Sequence, residues 1–236
     1  MIKDINQALQ LNIQAYEAVK KNFHPGMSEK DVKQLVLSQG TGVRWEGDFV
    51  GGSRTSCIEG DATDYILKEG DVLILDIQLL SGNICCDTCR TFFLGEPSQE
   101  VKDVYRTIRN AIRAGESVLR AGVKACHVYA AVREALSPYQ EHFPHHAGHR
   151  VGKIPVEDPR LIPEEQTVLQ AGMIVTLEPG LYFPARFGIR LENNYLITED
   201  GCVNLFPYTL ELEDFILLCS ETLSPDAEPI NRQGVK

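Results

Sequence analysis

Two aspartates, two glutamates and one histidine, spread over three stretches of chain, have the types and spacing of a metal-binding set. Asp76 lies in DVLILDIQLL and Asp87 in NICCDTCRTFF. Both runs are apolar and β-prone, and the SGN between them is turn chemistry. The midpoint of the two aspartates falls at Ser81-Gly82, so a hairpin there brings both carboxylates close on adjacent antiparallel strands. The design recurs downstream. Glu178 sits in GMIVTLEPG, Glu192 in GIRLENNYLIT, and their midpoint, Ala185, lies in the loop YFPARFG. His149, in HHAGHRVG, joins the two pairs. Taken singly, each residue has a plainer reading: a strand-end aspartate, a turn glutamate, a satisfied histidine beside a glycine. The conjunction of mirrored acids favours a metal or carboxylate site. Four buried carboxylates repel one another unless divalent cations neutralise them. An oxygen-rich set with one imidazole suits Mn²⁺, Fe²⁺, Co²⁺ or Zn²⁺.

The elements that must position these residues are legible in part. Residues Asn6–Phe23 and Ser28–Ser38 read as helices separated by HPGM, with Ser28 a good N-cap for the second. WEGDFVGGSRTS reads as a strand and a glycine-rich loop reaching the mouth of the site. In QEVKDVYRTIRNAIRAGESVLRAG, Val101, Val104, Tyr105, Ile108, Ile112 and Val118 recur at helical spacing. ACHVYAAVREAL is a further helix, ended by Ser137-Pro138, and residues 225–236 read as an exposed tail.

Composition narrows the class. A chain of 236 residues with 43% hydrophobic content can bury one sizeable core, so residues 1–236 are expected to form a single domain. There is no apolar run long enough to span a bilayer, and MIKDINQALQ is no signal peptide, so no membrane partner is expected. A net charge of −10 without a basic cluster argues against nucleic acid. The seven cysteines are read as reduced thiols of a cytoplasmic protein. Cys86 and Cys89 form a C-x-x-C string with no second pair, while Cys85, Asp87 and Cys89 share one strand face as small residues of the site wall.

The strings GDVLILDIQLLSGNICCDTCRTFFLGEPSQE, HHAGHRVG, AGMIVTLEPGLYF, GIRLENNYLIT and TEDG follow in that order. Together they resemble the pita-bread metallopeptidases: methionine aminopeptidase, aminopeptidase P, prolidase and the related creatinase. The likeness runs from about Ile2 to about Glu213, and GIRLEN followed by ITEDG is closer to the aminopeptidase P and prolidase branch. The resemblance implies an α/β (α+β) pita-bread domain, with a curved antiparallel sheet, outer helices and a pseudo-twofold hairpin repeat. It implies that Asp76, Asp87, His149, Glu178 and Glu192 hold two divalent ions (Mn, Co, Fe or Zn), with Asp87 and Glu192 bridging. Glu178 would also be the proton acceptor. His145 matches a family histidine four residues before the metal histidine, and Arg190 the arginine of the string G-[VI]-R-[IL]-E; both are carried over as catalytic.

The departures lie on the substrate side. Where the peptidases keep a histidine about 18 residues before the first metal aspartate, this chain has Ile58. Where they keep one seven residues after the metal histidine, it has Val156. Neither aliphatic residue donates a hydrogen bond or a proton. Gln78 replaces a small residue, Cys89 replaces a threonine, and Arg54 falls where it could bring a cation to the substrate. The expected function is dinuclear metal-dependent hydrolysis of a C–N bond in a short peptide or peptide-like molecule. A metalloenzyme acting on a non-peptide small molecule is the alternative. A non-catalytic binding module is disfavoured by retention of all five ligands. Self-association as a homodimer is left open.

Overall fold

On the first helix, Ile5, Leu9, Asn12, Tyr16 and Val19 fall on one buried face, and that face determines where the helix sits. The computed structural model describes residues 2–40, 43–81 and 84–218. Its helices are α1 (Ile2–Asn22), α2 (Glu29–Leu37), α3 (Gln99–Val118) and α4 (Ala125–Ala135). The strands are β1 (Arg44–Glu46), β2 (Phe49–Gly51), β3 (Val72–Ser81), β4 (Ile84–Leu94), β5 (His149–Arg150) and β6 (Glu157–Arg160). They continue with β7 (Ile174–Leu177), β8 (Gly180–Phe183), β9 (Phe187–Arg190), β10 (Asn193–Ile197), β11 (Cys202–Asn204) and β12 (Ile216–Leu217). The expected 225–236 tail lies outside the described residues.

Helix α1 packs on the back of the β3–β4 hairpin. The Asn12 amide donates to Ile77 O at 3.1 Å and to Thr88 Oγ1 at 2.8 Å, and Tyr16 donates to Thr88 O at 2.9 Å. Side chains alternate across a strand, so with Ile77 and Thr88 turned to the helix, Asp76 and Asp87 must face the other way. Ser28 caps α2 through a capping box with Asp31. Helix α3 packs against α4 and the second half of the chain. Gly115 permits that approach, since a Cβ there would stand 2.9 Å from Leu177 and 3.0 Å from Val132.

One sheet runs β1-β3-β4-β12, with β2 also paired to β3; its pairs are antiparallel except β12 beside β4. The other runs β11-β10-β7-β5-β6, antiparallel throughout. β8 and β9 form a ribbon in the same register as β7 and β10, turning at Ala185, whose φ of 59° is left-handed. That hairpin is centred where its glutamates predicted. The first is centred one residue later than expected: Asp76 pairs with Cys89 and Gln78 with Asp87. The two aspartates are therefore diagonal neighbours on one face rather than opposite each other. Gly82 and Asn83, within the expected turn, lie outside the described residues. A bridge between Cys89 and Glu192 joins the halves, with Glu192 N donating to Cys89 O at 3.0 Å. Among the described residues no helix is long and apolar enough to cross a membrane.

Candidate metal centre

The five sequence-predicted ligands converge where the two halves meet: Asp76, Asp87, His149 and Glu178 line a cavity of about 500 Å³, and Glu192 lies behind them, 3.7 Å from His149 Nε2. Asp76 and Asp87 come from the inner face of β3 and β4. Glu178 follows β7, and its N–H donates to Ala147 O at 2.9 Å. His149 opens β5 and Glu192 precedes β10. All five are buried, Glu192 and His149 to 1% residual exposure.

Backbone geometry fixes the imidazole. A carbonyl oxygen only accepts, so the 3.0 Å contact of His149 Nδ1 with Arg150 O puts the hydrogen on Nδ1. Nε2 is left bare and faces Glu178 Oε1 at 3.2 Å, Asp87 Oδ2 at 3.6 Å and Glu192 Oε1 at 3.7 Å. This is the tautomer that a metal ligand needs.

The carboxylates carry more charge than the protein around them answers. Asp76 Oδ1, Asp87 Oδ1 and both Glu192 oxygens are buried without a hydrogen-bond partner among the described residues. Burial, reinforced by Glu192, pushes Asp87 well above the usual carboxylate range, and burial with Glu178 does the same to Glu192. Burial lifts Asp76 to about 6 even against the pull of Arg190. Glu178 goes the other way: burial works upward, but His146 and His149 outweigh it and hold the carboxyl low. The ligand atoms of Asp87, His149 and Glu192 lie within 4.8 Å of one another, as do those of His145, His146 and Glu178. Orphaned carboxylate oxygens around a correctly tautomerised imidazole fit divalent cations.

The two residues carried over as catalytic are already engaged. Arg190 donates to Asp48 at 2.7 Å, Asp76 at 2.9 Å, Ile58 O at 2.8 Å and Tyr182 OH at 3.1 Å. It neutralises Asp76 and ties the segment at Ile58 down over the site. His145 Nδ1 donates to His146 O at 2.7 Å, so its Nε2 accepts from Tyr182 OH at 3.0 Å. Burial draws His145 down to about 4, leaving the ring neutral near pH 7. The chain Arg190–Tyr182–His145 thus positions groups rather than offering a free proton.

Ile58, Val156 and Gln78 all line the cavity, and Cys89 lies beneath it with Sγ donating to Arg190 O at 3.5 Å. Arg54 does not line it, which corrects the expectation of a substrate cation there. Glu29 is buried at the start of α2, where it accepts from Gly51 N at 2.7 Å and Thr63 N at 2.8 Å, and its buried charge claims the Arg54 guanidinium. Asp61 O at 3.0 Å and Thr63 at 3.2 Å complete that site.

The cavity also gathers residues the sequence did not single out. Asp48, Glu59 and Arg160 line it. So does His146, the neighbour of His145. Asp48 arrives through the β1–β2 turn, and Arg160 because β6 pairs with β5, opposite His149. Glu59 and Arg160 are exposed at the rim, and neither has an ion-pair partner among the described residues. No local motif marks either residue; only strand pairing and loop packing bring them in.

Residues 3–199 match the model of metallopeptidase family M24. An uncharacterized peptidase of Bacillus subtilis, YqhT, is 30% identical over 207 residues, covering 85% of this chain and 59% of the relative. Among solved structures, an X-Pro aminopeptidase from Thermotoga maritima superposes with a TM-score of 0.85 at 28% identity, over 92% of this chain and 62% of the other. The prolidase from Pyrococcus furiosus gives 0.83 at 28% identity, over 88% and 64%. The chain therefore spans about three fifths of the length of these relatives.

Proposed function

The chain belongs to metallopeptidase family M24 and has the pita-bread fold, and from that premise we propose a two-metal hydrolase of the aminopeptidase P and prolidase type, cleaving a C–N bond in a small peptide-like substrate. The observation that carries this reading is the set of buried, unpartnered carboxylate oxygens facing one imidazole at the floor of an open cavity. Two divalent ions held by Asp76, Asp87, His149, Glu178 and Glu192 would polarise the scissile carbonyl and acidify the attacking water. Glu178, a ligand beside the attacking water, would be the residue to accept its proton. Arg190 keeps Asp76 in place, and Tyr182 and His145 extend the same hydrogen-bonded chain.

The cavity walls speak to the substrate. Arg160 and Glu59 present charges of opposite sign at the rim, neither paired among the described residues, suited to the carboxylate and ammonium ends of a short peptide. Ile58 and Val156 make one wall apolar, suiting a substrate with a hydrophobic flank beside the reacting bond. They also leave that wall without a proton donor for the leaving nitrogen. A specific observation thus favours a second reading, that the same machinery acts on a non-peptide small molecule.

The test is a panel of di- and tripeptides, Xaa-Pro included, assayed with the manganese-, cobalt- and zinc-loaded protein. Metal-dependent cleavage is expected, with Xaa-Pro turnover slow. Restoring both histidines, Ile58→His with Val156→His, should raise it by up to about 10²–10⁴-fold, the usual contribution of a positioned donor. Full activity in metal-free protein would overturn the two-metal reading. A panel that yields no cleavage even after restoration would favour the non-peptide substrate.

A further inference from the structure

We propose that His146 is a further metal ligand, a second imidazole beside His149; the inference rests on the metal-centre reading above. His146 stands in the same HHAGHRVG turn, three residues before His149. Its Nδ1 is buried and lies 3.1 Å from Glu178 Oε1, close enough to help hold that carboxyl low, yet it makes no well-directed hydrogen bond to that oxygen or to any other atom of the described residues. The nitrogen is near the carboxylate but not aimed at it.

Coordination gives that spacing a meaning. Two donor atoms on one ion, each bonded at about 2.1 Å, stand roughly 3 Å apart. His149 Nε2 lies 3.2 Å from Glu178 Oε1, and His146 Nδ1 lies 3.1 Å from the same oxygen. Both imidazoles therefore hold ligand-to-ligand distance from one shared donor. His145, the remaining histidine of the cavity, is excluded because both its nitrogens are engaged by His146 O and Tyr182 OH. His146 itself lines the cavity, so an ion at its floor is within its reach. A second imidazole makes the donor set richer in nitrogen, favouring Zn²⁺, Co²⁺ or Fe²⁺ over Mn²⁺.

The experiment uses the full chain loaded with cobalt and carrying isotopically labelled histidine. Proton NMR identifies metal-bound imidazoles by their hyperfine-shifted ring signals. The wild type should show two such rings and His146→Ala one, that of His149. Zinc affinity should fall by at least about 10–100-fold in His146→Ala, the range seen when even outer partners of a ligand are removed. His146→Gln keeps a hydrogen-bonding side chain beside Glu178 but offers no imidazole, and should lose affinity as Ala does. Far-UV circular dichroism of the metal-free variants establishes that they fold. A single bound imidazole in the wild type, or affinity restored by Gln, would overturn the proposal and leave the hydrolase reading standing. A wild type that binds no metal would overturn both.

Discussion

At the scale of single residues, the site is governed by charge that the protein concentrates and does not itself neutralise. In the metal-free chain Asp76 titrates at about 6, lifted by burial against Arg190, whereas an unfolded aspartate titrates near 3.9. The native state thus binds more protons across that window, and from this group stability falls as pH rises from about 4 through about 6. Asp87 and Glu192, raised further by burial, extend the same sign to higher pH. His145 and His149 act oppositely. Burial lowers both, so the unfolded state takes up their protons first and their contribution is lost as pH falls below about 6.5. Metal must displace any proton the raised carboxyls hold, so binding should release protons and tighten as pH rises through about 6, where Asp76 titrates. Titration calorimetry in two buffers of different ionisation enthalpy reads that release directly. Binding without proton release near pH 6 would contradict the buried-charge account.

At the scale of elements, the turn before β5 decides where His149 points. A Cβ on Gly148 would stand 2.0 Å from Thr176 O, and φ there is +156°. The strand cannot retreat cheaply, because Glu178 N is bonded to Ala147 O at 2.9 Å and Val151 N to Ile174 O at 2.9 Å. Gly148→Ala should therefore push β5 off β7, at about 1–3 kcal/mol, and carry His149 out of place. Metal affinity should drop with it. Gly201 has nothing within 4 Å of its would-be Cβ, so Gly201→Ala serves as the neutral comparison. Thermal melts of both variants, with and without zinc, separate the two effects. If Gly148→Ala keeps the wild-type metal-induced rise in Tm, the turn relaxes without moving the ligand.

At the scale of the whole molecule, Arg90 ties β4, β10 and the segment at Tyr208 into one body. It is fully buried, and its guanidinium donates to Cys89 O, Glu192 O and Asn193 Oδ1 at 2.8 Å each, and to Thr209 O at 3.0 Å. The Phe206 and Tyr208 rings lie 4.8 and 5.6 Å from its centre. No carboxylate neutralises it among the described residues; neutral oxygens and aromatic faces solvate it instead. Arg90→Met would strand several buried acceptors at once, one of them on the backbone of Glu192. The expected loss is about 3 kcal/mol or more, a fall in Tm of roughly 6–12 °C for a chain of this size. A fall of only a degree or two would mean that water takes over those acceptors.

The sequence by itself determined what is local or repeated. Helical periodicity placed α3, the stop at Ser137-Pro138 bounded α4, and Ser28 marked the start of α2 because a cap is a short-range bond. The mirrored glutamates located the second hairpin at Ala185, and alternation along β3 and β4 put both aspartates on one face. The identity of Ile58 and Val156 followed from family resemblance, and both do reach the cavity. Tertiary structure decided everything that depended on a partner far along the chain. Alternation fixes a strand's face but not its register, so the offset of Asp76 from Asp87 emerged only from pairing. Arg54 could not be assigned without knowing that Glu29 is buried beside it. Asp48, Tyr182 and Arg160 have no local signature, because each owes its place to packing between elements that lie apart in the sequence.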